Sequence, residues 1–95
     1  MTKIIEVTED DILNGVPRNN CNCPIARALK RHAGLDVDKK DYSIWELFVG
    51  SPIYSKTFKL KEKSYKVPRS AARFIRNFDR YKPVKPFRFK LVEVI

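Results

Sequence analysis

The feature that most restricts the fold is an amphipathic segment at residues 69–80, between Pro68 and Pro83. At about 100° per residue, apolar side chains fall within one sector about 100° wide and basic side chains lie opposite. A helix with one wholly apolar face needs a core to pack against. The pattern therefore predicts a helix from Pro68 to about Tyr81 in a folded domain. Its apolar residues are Ala71, Phe74, Ile75 and Phe78, and its basic residues are Arg69, Arg73, Arg76 and Arg80.

The positive charge is concentrated in the second half of the chain. The chain has 95 residues and a net charge of +9. Residues 1–50 hold seven bases and eight acids, a net of −1, whereas residues 51–95 hold thirteen bases and three acids, a net of +10. At this length we expect a single domain, 1–95. Within it, we predict that residues 1–50 form a near-neutral scaffold. Residues 51–95 form a strongly basic part, which indicates an anionic partner.

Two further helices are predicted in the first half. Thr8 is a suitable N-cap for one or two helical turns that Gly15 ends, with acids in the first turn. Pro24 suits the first position of a second helix, which begins after Cys23 and stops at Gly34. This second helix is expected to bury one face and to place cations near its C-terminal dipole. The buried face is Ile25, Ala28, Leu29 and His32, and the cations are Lys30, Arg31 and His32.

Alternating apolar residues predict strands in the remaining segments. These are 3–7, 42–49 with Trp45, Leu47 and Val49 on one face, a hairpin of 54–60 and 64–67, and 86–95 with Phe87, Phe89 and Leu91 inward. The predicted fold class is α+β, a small antiparallel sheet of about four strands with two main helices packed on one face. The order of elements is β-α-α-β-β-β-α-β.

The four arginines of the 69–80 helix, here called the arginine ladder, point to a polyanion. They extend about 16 Å along the helix axis, and the guanidinium fork donates two parallel hydrogen bonds to a phosphate. Asp79, the only acid on this helix, is expected beside the ladder. A solvated helix face normally mixes charges of both signs. A nucleic-acid backbone is therefore favoured over an acidic protein or a bland solvated face.

Further basic residues flank the ladder in the sequence and alternate with aromatic ones. Bases that alternate with aromatic rings allow phosphate contact and base stacking on one surface. The same aromatic residues are also expected in a core, and lysines also protect sheet edges. The basic residues are Lys56, Lys59, Lys61, Lys63, Lys66, Arg88 and Lys90, and the aromatic ones are Tyr54, Phe58, Tyr65 and Phe87.

Cys21, Cys23 and His32 suggest two other kinds of site. A closed zinc site needs four ligands, and these three side chains are the only Cys and His of the chain. Cys23 lies where a helix dipole lowers a thiol pKa, but His32 is more than two turns away on the same helix. A thiol enzyme that uses Cys23 is therefore a remote alternative. We predict no enzyme activity, no metal and no cofactor.

The chain carries no sign of a membrane or secretion segment. No apolar run approaches the roughly 18 residues that span a bilayer, and residues 1–6 do not have the layout of a signal peptide. We therefore expect a cytoplasmic protein with reduced thiols and no membrane partner.

Two segments resemble a group of small uncharacterised proteins encoded by bacteriophages and bacteria. The first is Asp11-Ile12, Gly15 and the run Cys23-Pro24-Ile25-Ala26-Arg27-Ala28-Leu29. The second is Ala72-Arg73-Phe74-Ile75-Arg76-Asn77-Phe78-Asp79, with Pro86-Phe87-Arg88-Phe89. The resemblance covers both ends of the chain. It implies a phage or bacterial origin, and host cytoplasm if the protein is phage-encoded, but no activity and no site residues.

These patterns lead to one main functional prediction and one alternative. The main prediction is a non-enzymatic nucleic-acid-binding protein that contacts DNA or RNA backbone through the arginine ladder, the hairpin lysines, Arg88 and Lys90. The alternative, raised by the resemblance, is a phage-encoded inhibitor or adaptor. Its basic face would dock on an acidic or nucleic-acid-binding host complex.

Overall fold

Helices and strands follow one another as β-α-α-β-β-β-α-β, so the predicted order and the α+β class are confirmed. The computed structural model describes residues 2–51 and 55–94. Tyr54 of the predicted hairpin and Ile95 of the predicted last strand lie outside this part of the chain. The elements are β1 (Thr2–Val7), α1 (Glu9–Asn14), α2 (Pro24–Ala33), β2 (Leu47–Phe48), β3 (Thr57–Leu60), β4 (Lys63–Lys66), α3 (Arg69–Asp79) and β5 (Phe87–Val92).

The strands form two small antiparallel sheets where the sequence predicts one sheet of about four strands. One sheet pairs β1 with β5, with Ile5 opposite Phe89, and the other has the order β2-β3-β4. The two sheets meet at a bridge between Tyr65 of β4 and Glu93, just after β5. Because this bridge involves a single pair of residues, β4 and β5 touch without forming a continuous ladder.

The core lies between the inner sides of the sheets and the helices. In β5 the pattern agrees with the prediction, since Phe89 and Leu91 are buried while Arg88 and Lys90 are exposed. Both main helices bury their apolar faces in the same cluster. The buried core includes Ile5, Val7, Ile25, Leu29, Leu47, Phe58, Leu60, Ala71, Phe74, Ile75, Phe89 and Leu91.

A row of five phenylalanine rings connects α3 to both sheets. Phe78 stacks on Phe74 within the helix, with ring centroids 6.0 Å apart. Phe74 stacks on Phe87 of β5 at 4.9 Å. Phe87 stacks on Phe89 at 5.7 Å, and Phe89 contacts Phe58 of β3 at 5.9 Å. These contacts determine which face of α3 is turned toward the core.

The predicted strand at 42–49 is wrong over most of its length, because only Leu47–Phe48 pairs as a strand. Residues 43–46 form a turn in which the Ser43 hydroxyl donates to the Glu46 carboxylate (3.1 Å) and accepts from the Glu46 amide (3.3 Å). Such local bonds from side chain to backbone compete with strand pairing. As a result Trp45, predicted on a buried face with Leu47, is 62% exposed.

The hairpin of β3 and β4 closes through a two-residue turn at Lys61 and Glu62. Both residues have positive φ, 49° and 68°, as a type I′ turn requires. Neither is the Gly or Asn that this turn favours. Their amides donate to the carbonyls of Glu46 (2.9 Å) and Trp45 (2.7 Å). These two hydrogen bonds offset the backbone strain and hold the hairpin tip against the 43–46 turn.

A buried carboxylate joins the start of α1 to α2. Asp11 is fully buried, and its oxygens accept from Arg31 Nη1 (2.8 Å) and Nη2 (2.7 Å). It also completes the predicted cap of α1, because Thr8 and Asp11 exchange bonds between side chain and backbone. Burial raises the pKa of Asp11, but the hydrogen bonds and charge of Arg31 and the bonds from Thr8 outweigh it. The net pKa is therefore lowered.

Lys30 is also fully buried, although the sequence predicts it as a cation near the C-terminal dipole of α2. Its ammonium donates to Asn22 Oδ1 (2.9 Å) and to the carbonyls of Val37 (3.2 Å) and Lys39 (2.9 Å). The Tyr42 ring centroid lies 5.6 Å away. All three ammonium donors are thus satisfied, and burial lowers the pKa of Lys30. Through these hydrogen bonds Lys30 holds the loop after α2 against the helix.

We expect Asp11→Asn to lower the free energy of unfolding at pH 7 by about 2 kcal/mol, because Arg31 loses a charged partner. The lowered pKa of Asp11 also stabilises the fold above its ordinary value of 3.8, and this contribution is lost as pH falls through the folded pKa. Urea unfolding at several pH values between about 2 and 7 measures both effects. The variant should lose less stability in acid than the parent protein.

The matched control is Asp10→Asn, whose side chain is 72% exposed. It should change stability by at most about 0.5 kcal/mol. Equal pH dependence of the Asp11→Asn variant and the parent protein would contradict the role given to Asp11.

Candidate nucleic-acid interface

The start and end of α3 are defined by its own residues. Pro68 occupies the N-cap position and Arg69 begins the helix. The helix ends at Asp79, two residues before the predicted end, because Tyr81 has φ 60°. The Tyr81 amide donates to the carbonyl of Phe78 (3.1 Å), one of the bonds of a Schellman motif. Gly usually occupies this position, so the sequence signal for the stop is weak.

Three members of the arginine ladder lie on the solvent side of α3, and the fourth, Arg80, is the C-cap residue just after the helix. Ala71, Phe74 and Ile75 are buried on the opposite face, as predicted. The four ladder residues are exposed, and the helical rise separates the first from the last by about 16 Å. None of them forms an ion pair with an Asp or Glu side chain of residues 2–51 and 55–94, which include all eleven acids of the chain.

Three other arginines have carboxylate partners instead. Arg31 binds Asp11 in bidentate geometry, and Arg27 lies near Asp10 (3.5 Å), Asp11 (3.7 Å) and Asp38 (3.9 Å). Arg88 Nε and Nη2 both lie 3.0 Å from Oε2 of Glu6 on the neighbouring strand. Carboxylates of the protein itself therefore neutralise Arg27, Arg31 and Arg88. The ladder arginines have no such partner in the described part of the chain, and their charges face solvent or a binding partner.

Asp79 does not neutralise the ladder through an ion pair. Its Oδ1 accepts a hydrogen bond from the backbone amide of Arg18 at 2.8 Å. Arg18 is 61 positions earlier in the chain, in the loop between α1 and α2, and has φ 58°. The one acid of α3 thus connects this loop to the end of the helix. It lies beside the ladder, as the helical projection predicts.

The hairpin lysines are distributed over both faces of β3 and β4 and over the turn. Lys59 and Lys66 lie on the face opposite Phe58, and Lys59 Nζ donates to Ser64 Oγ across the hairpin. Lys63 begins β4 on the other face. The exposed lysines of this region are Lys56, Lys61, Lys63 and Lys66, whereas Lys59 is half-buried.

The aromatic residues of the predicted stacking surface belong mostly to the core. Phe58 is fully buried, Phe87 is half-buried against Phe74, and Tyr65 is half-buried beside Glu93. Their alternation with lysines follows from the two faces of a strand. The expectation that these aromatic residues belong to the core is therefore confirmed for Phe58, and Phe87 packs against the same core.

The structure separates the ladder from the basic residues of β5. The apolar face of α3 packs on Phe87, which shares the inner side of β5 with Phe89. Arg88 and Lys90 project from the outer side of the same strand. The ladder points away from this core on the other side of the helix. The eleven predicted contact residues therefore do not form one surface, because Arg88 and Lys90 lie on the side of β5 opposite α3 and the hairpin lysines are divided between both strand faces and the turn.

An exposed aromatic residue that the sequence pattern assigned to the core lies beside the hairpin tip. Trp45 is 62% exposed and Ile44 is 58% exposed. The neighbouring turn residue Lys61 is also exposed. The sequence does contain one signal for this turn, a Ser three residues before a Glu. In the structure these two residues, Ser43 and Glu46, form the hydrogen bonds that close the turn.

Cys23 caps α2 as predicted, since its Sγ accepts from the amide of Ala26 at 3.4 Å. Burial raises the pKa of this thiol to about 12, and the bonds from the Ala26 and Ile25 amides do not compensate. The environment thus opposes the thiolate that a catalytic cysteine needs. His32, predicted on the buried face of α2, is exposed.

Residues 2–51 and 55–94 contain no group of three His, Cys, Asp or Glu side chains placed to hold a metal ion. In the same described ranges, no helix is long and apolar enough to cross a membrane. No family model matches the chain, and neither a curated protein nor a solved structure matches it. The resemblance to small phage and bacterial proteins therefore stays a prediction.

We expect Cys23 to resist alkylation in the folded protein. A rise in pKa from 9.0 to about 12 lowers the thiolate fraction at neutral pH about a thousandfold. Reaction with iodoacetamide near pH 7.5, followed by peptide mass spectrometry, should modify Cys23 far more slowly than a free peptide thiol. In urea the two rates should become similar. Rapid alkylation of Cys23 under native conditions would instead favour a thiol enzyme.

Proposed function

We propose that this protein binds the sugar-phosphate backbone of nucleic acids, without catalysis, through the arginine ladder of α3. The observation that carries the proposal is the contrast between paired and unpaired arginines. Arg27, Arg31 and Arg88 have carboxylate partners, whereas the ladder has none among the described residues. Four positive charges in one row repel one another, which destabilises the helix when no partner is bound. A polyanion removes that repulsion.

The chemistry of the ladder suits phosphates rather than bases. Arginine forks bind phosphate oxygens with paired hydrogen bonds and keep their charge at any physiological pH. Contacts with phosphates position a protein on nucleic acid but carry no sequence information. We therefore propose binding that depends strongly on salt and weakly on sequence. The outer sheet surface with Lys66 and Lys90 is a separate basic region of the same molecule.

The double variant Arg69→Ala/Arg73→Ala tests the ladder. If four phosphates are neutralised, the slope of log K against log salt on duplex DNA is about −3.6, and each lost arginine reduces its magnitude by about 0.9. The variant should therefore give a slope of about −1.8. Fluorescence anisotropy with a labelled duplex, at salt from about 25 to 200 mM, measures both slopes.

The charge-matched control is Lys66→Ala/Lys90→Ala, which removes two positive charges from β4 and β5. Under the proposal, its slope stays near that of the parent protein. If the control variant loses as much affinity as the ladder variant, binding follows total charge and the ladder has no special role. Absence of binding to DNA and RNA at low salt would refute the proposal.

A second candidate function is an inhibitor or adaptor that docks on a host protein complex. The exposed Trp45 and Ile44 favour it, because a Trp in a small apolar patch is a frequent anchor at protein interfaces. In this case the ladder faces an acidic or nucleic-acid-binding protein surface.

A pull-down from bacterial lysate, with and without nuclease, separates the two functions. Associations through nucleic acid should disappear on nuclease treatment, whereas docking on a protein complex should persist. A Trp45→Ala variant should reduce only the associations that resist nuclease. Loss of every association on nuclease treatment would contradict the inhibitor function.

A further inference from the structure

A cleft of about 300 Å³ opens beside the C-terminal end of α3. One wall is the helix itself, with Arg76 and Arg80. The second wall is the loop that contains Arg18 and Asn20, and the third is the segment 49–51 after β2. The volume lies at the lower end of the range of small-molecule pockets. The cleft therefore has room for one small ligand.

Two hydrogen bonds hold the walls together. The Arg18 amide donates to Asp79 Oδ1 at 2.8 Å, which joins the loop to α3. The Val49 amide donates to the Asn20 carbonyl at 3.0 Å, which joins the same loop to the third wall. The loop is thus fixed on both sides before any ligand arrives. Such preorganisation lowers the entropic cost of binding.

The lining combines an apolar base with a cationic rim. Cys23, Val49 and Ile75 line the cleft and are otherwise buried in the core. Three guanidinium groups, from Arg18, Arg76 and Arg80, line it together with the single carboxylate of Asp79. The net charge of these four groups is positive. This lining suits a small ligand that combines an apolar part with an anionic part.

Backbone strain also occurs next to this cleft. Arg18, in its wall, has φ 58°, and Tyr81, one residue after Arg80, has φ 60°. Such angles are uncommon for residues other than Gly. At Arg18 the bond from its amide to Asp79 holds the residue at the rim of the cleft.

We infer that the cleft binds a nucleoside monophosphate unit, either free or as an unpaired nucleotide within a single strand. The planar base lies against Cys23, Val49 and Ile75, and the phosphate lies among the arginines. The inference rests on the proposed function in one respect, because Arg76 and Arg80 also belong to the ladder. It adds a discrete site for one nucleotide to a surface that otherwise contacts only phosphates.

The test is a titration of the isotope-labelled protein with adenosine 5′-monophosphate, followed by backbone amide NMR shifts. Saturable shifts are expected at residues 18–20, 49–51 and 76–80, with a dissociation constant of about 1 mM or below. Adenosine alone and inorganic phosphate alone should each bind at least about tenfold more weakly, since each makes only part of the contacts. The spectra also report whether each variant is folded.

Three variants are expected to differ in their effect on the affinity for adenosine monophosphate. Arg18→Gly removes one guanidinium while Gly accepts the positive φ, and it should weaken binding of adenosine monophosphate about fivefold. Asp79→Asn keeps an oxygen for the Arg18 amide but removes the only acid in the cleft, so it should strengthen binding about threefold. Lys3→Ala removes one exposed positive charge from β1, away from the cleft lining, and should leave this affinity unchanged.

Competition by an unlabelled oligothymidine strand identifies the source of the ligand. Displacement of adenosine monophosphate supports an unpaired nucleotide within a strand, and its absence supports a free nucleotide. No saturable shift in the cleft, or equal affinity of the Arg18→Gly variant and the parent protein, would overturn the inference. Duplex binding through Arg69 and Arg73 is measured separately, so either result can fail without the other.

Discussion

The stack of Phe74 on Phe87 determines the direction in which α3 faces. The two ring centroids are 4.9 Å apart, and the row continues through Phe89 to Phe58 in the second sheet. Because these rings bury one side of the helix, the residues half a turn away must face solvent. The exposure of the arginine ladder is therefore a consequence of aromatic packing on the opposite side. A rotation of α3 would expose phenylalanine and bury arginine, and both changes are unfavourable.

The two halves of the chain use their charges in different ways. In the near-neutral half, Asp11 and Lys30 are fully buried and every strong donor or acceptor they carry is satisfied. Buried charges of this kind contribute to a unique arrangement of loops, because any shift leaves a charge unpaired. In the basic half the arginines of α3 are exposed and lack partners among the described residues. Asp11 and Lys30 thus stabilise the fold, whereas the ladder arginines remain available to a ligand.

Elements that depend on neighbouring residues were predictable, and those that depend on distant contacts were not. The cap of α1 by Thr8 and the stop of α2 at Gly34 are local, so their positions agree with the prediction. The burial of Lys30 depends on carbonyls of the following loop, and the turn at Lys61 depends on carbonyls of another turn. Only the folded chain brings these groups together. The alternation at 42–49 suggested a strand because a binary pattern does not include the bonds between Ser43 and Glu46.

The same distinction applies to the candidate site. Membership of the ladder follows from helical periodicity alone, whereas the position of Arg88 and Lys90 on the side of β5 opposite α3 follows from packing. The cleft is harder to predict from the sequence, because Arg18 and Arg80, which both line it, come from different halves of the chain. Asp79 links these halves by accepting the Arg18 amide, and it does so at the end of the helix that carries the ladder. Asp79 lies among arginines in the sequence, and this hydrogen bond places a further arginine, Arg18, beside Arg76 and Arg80.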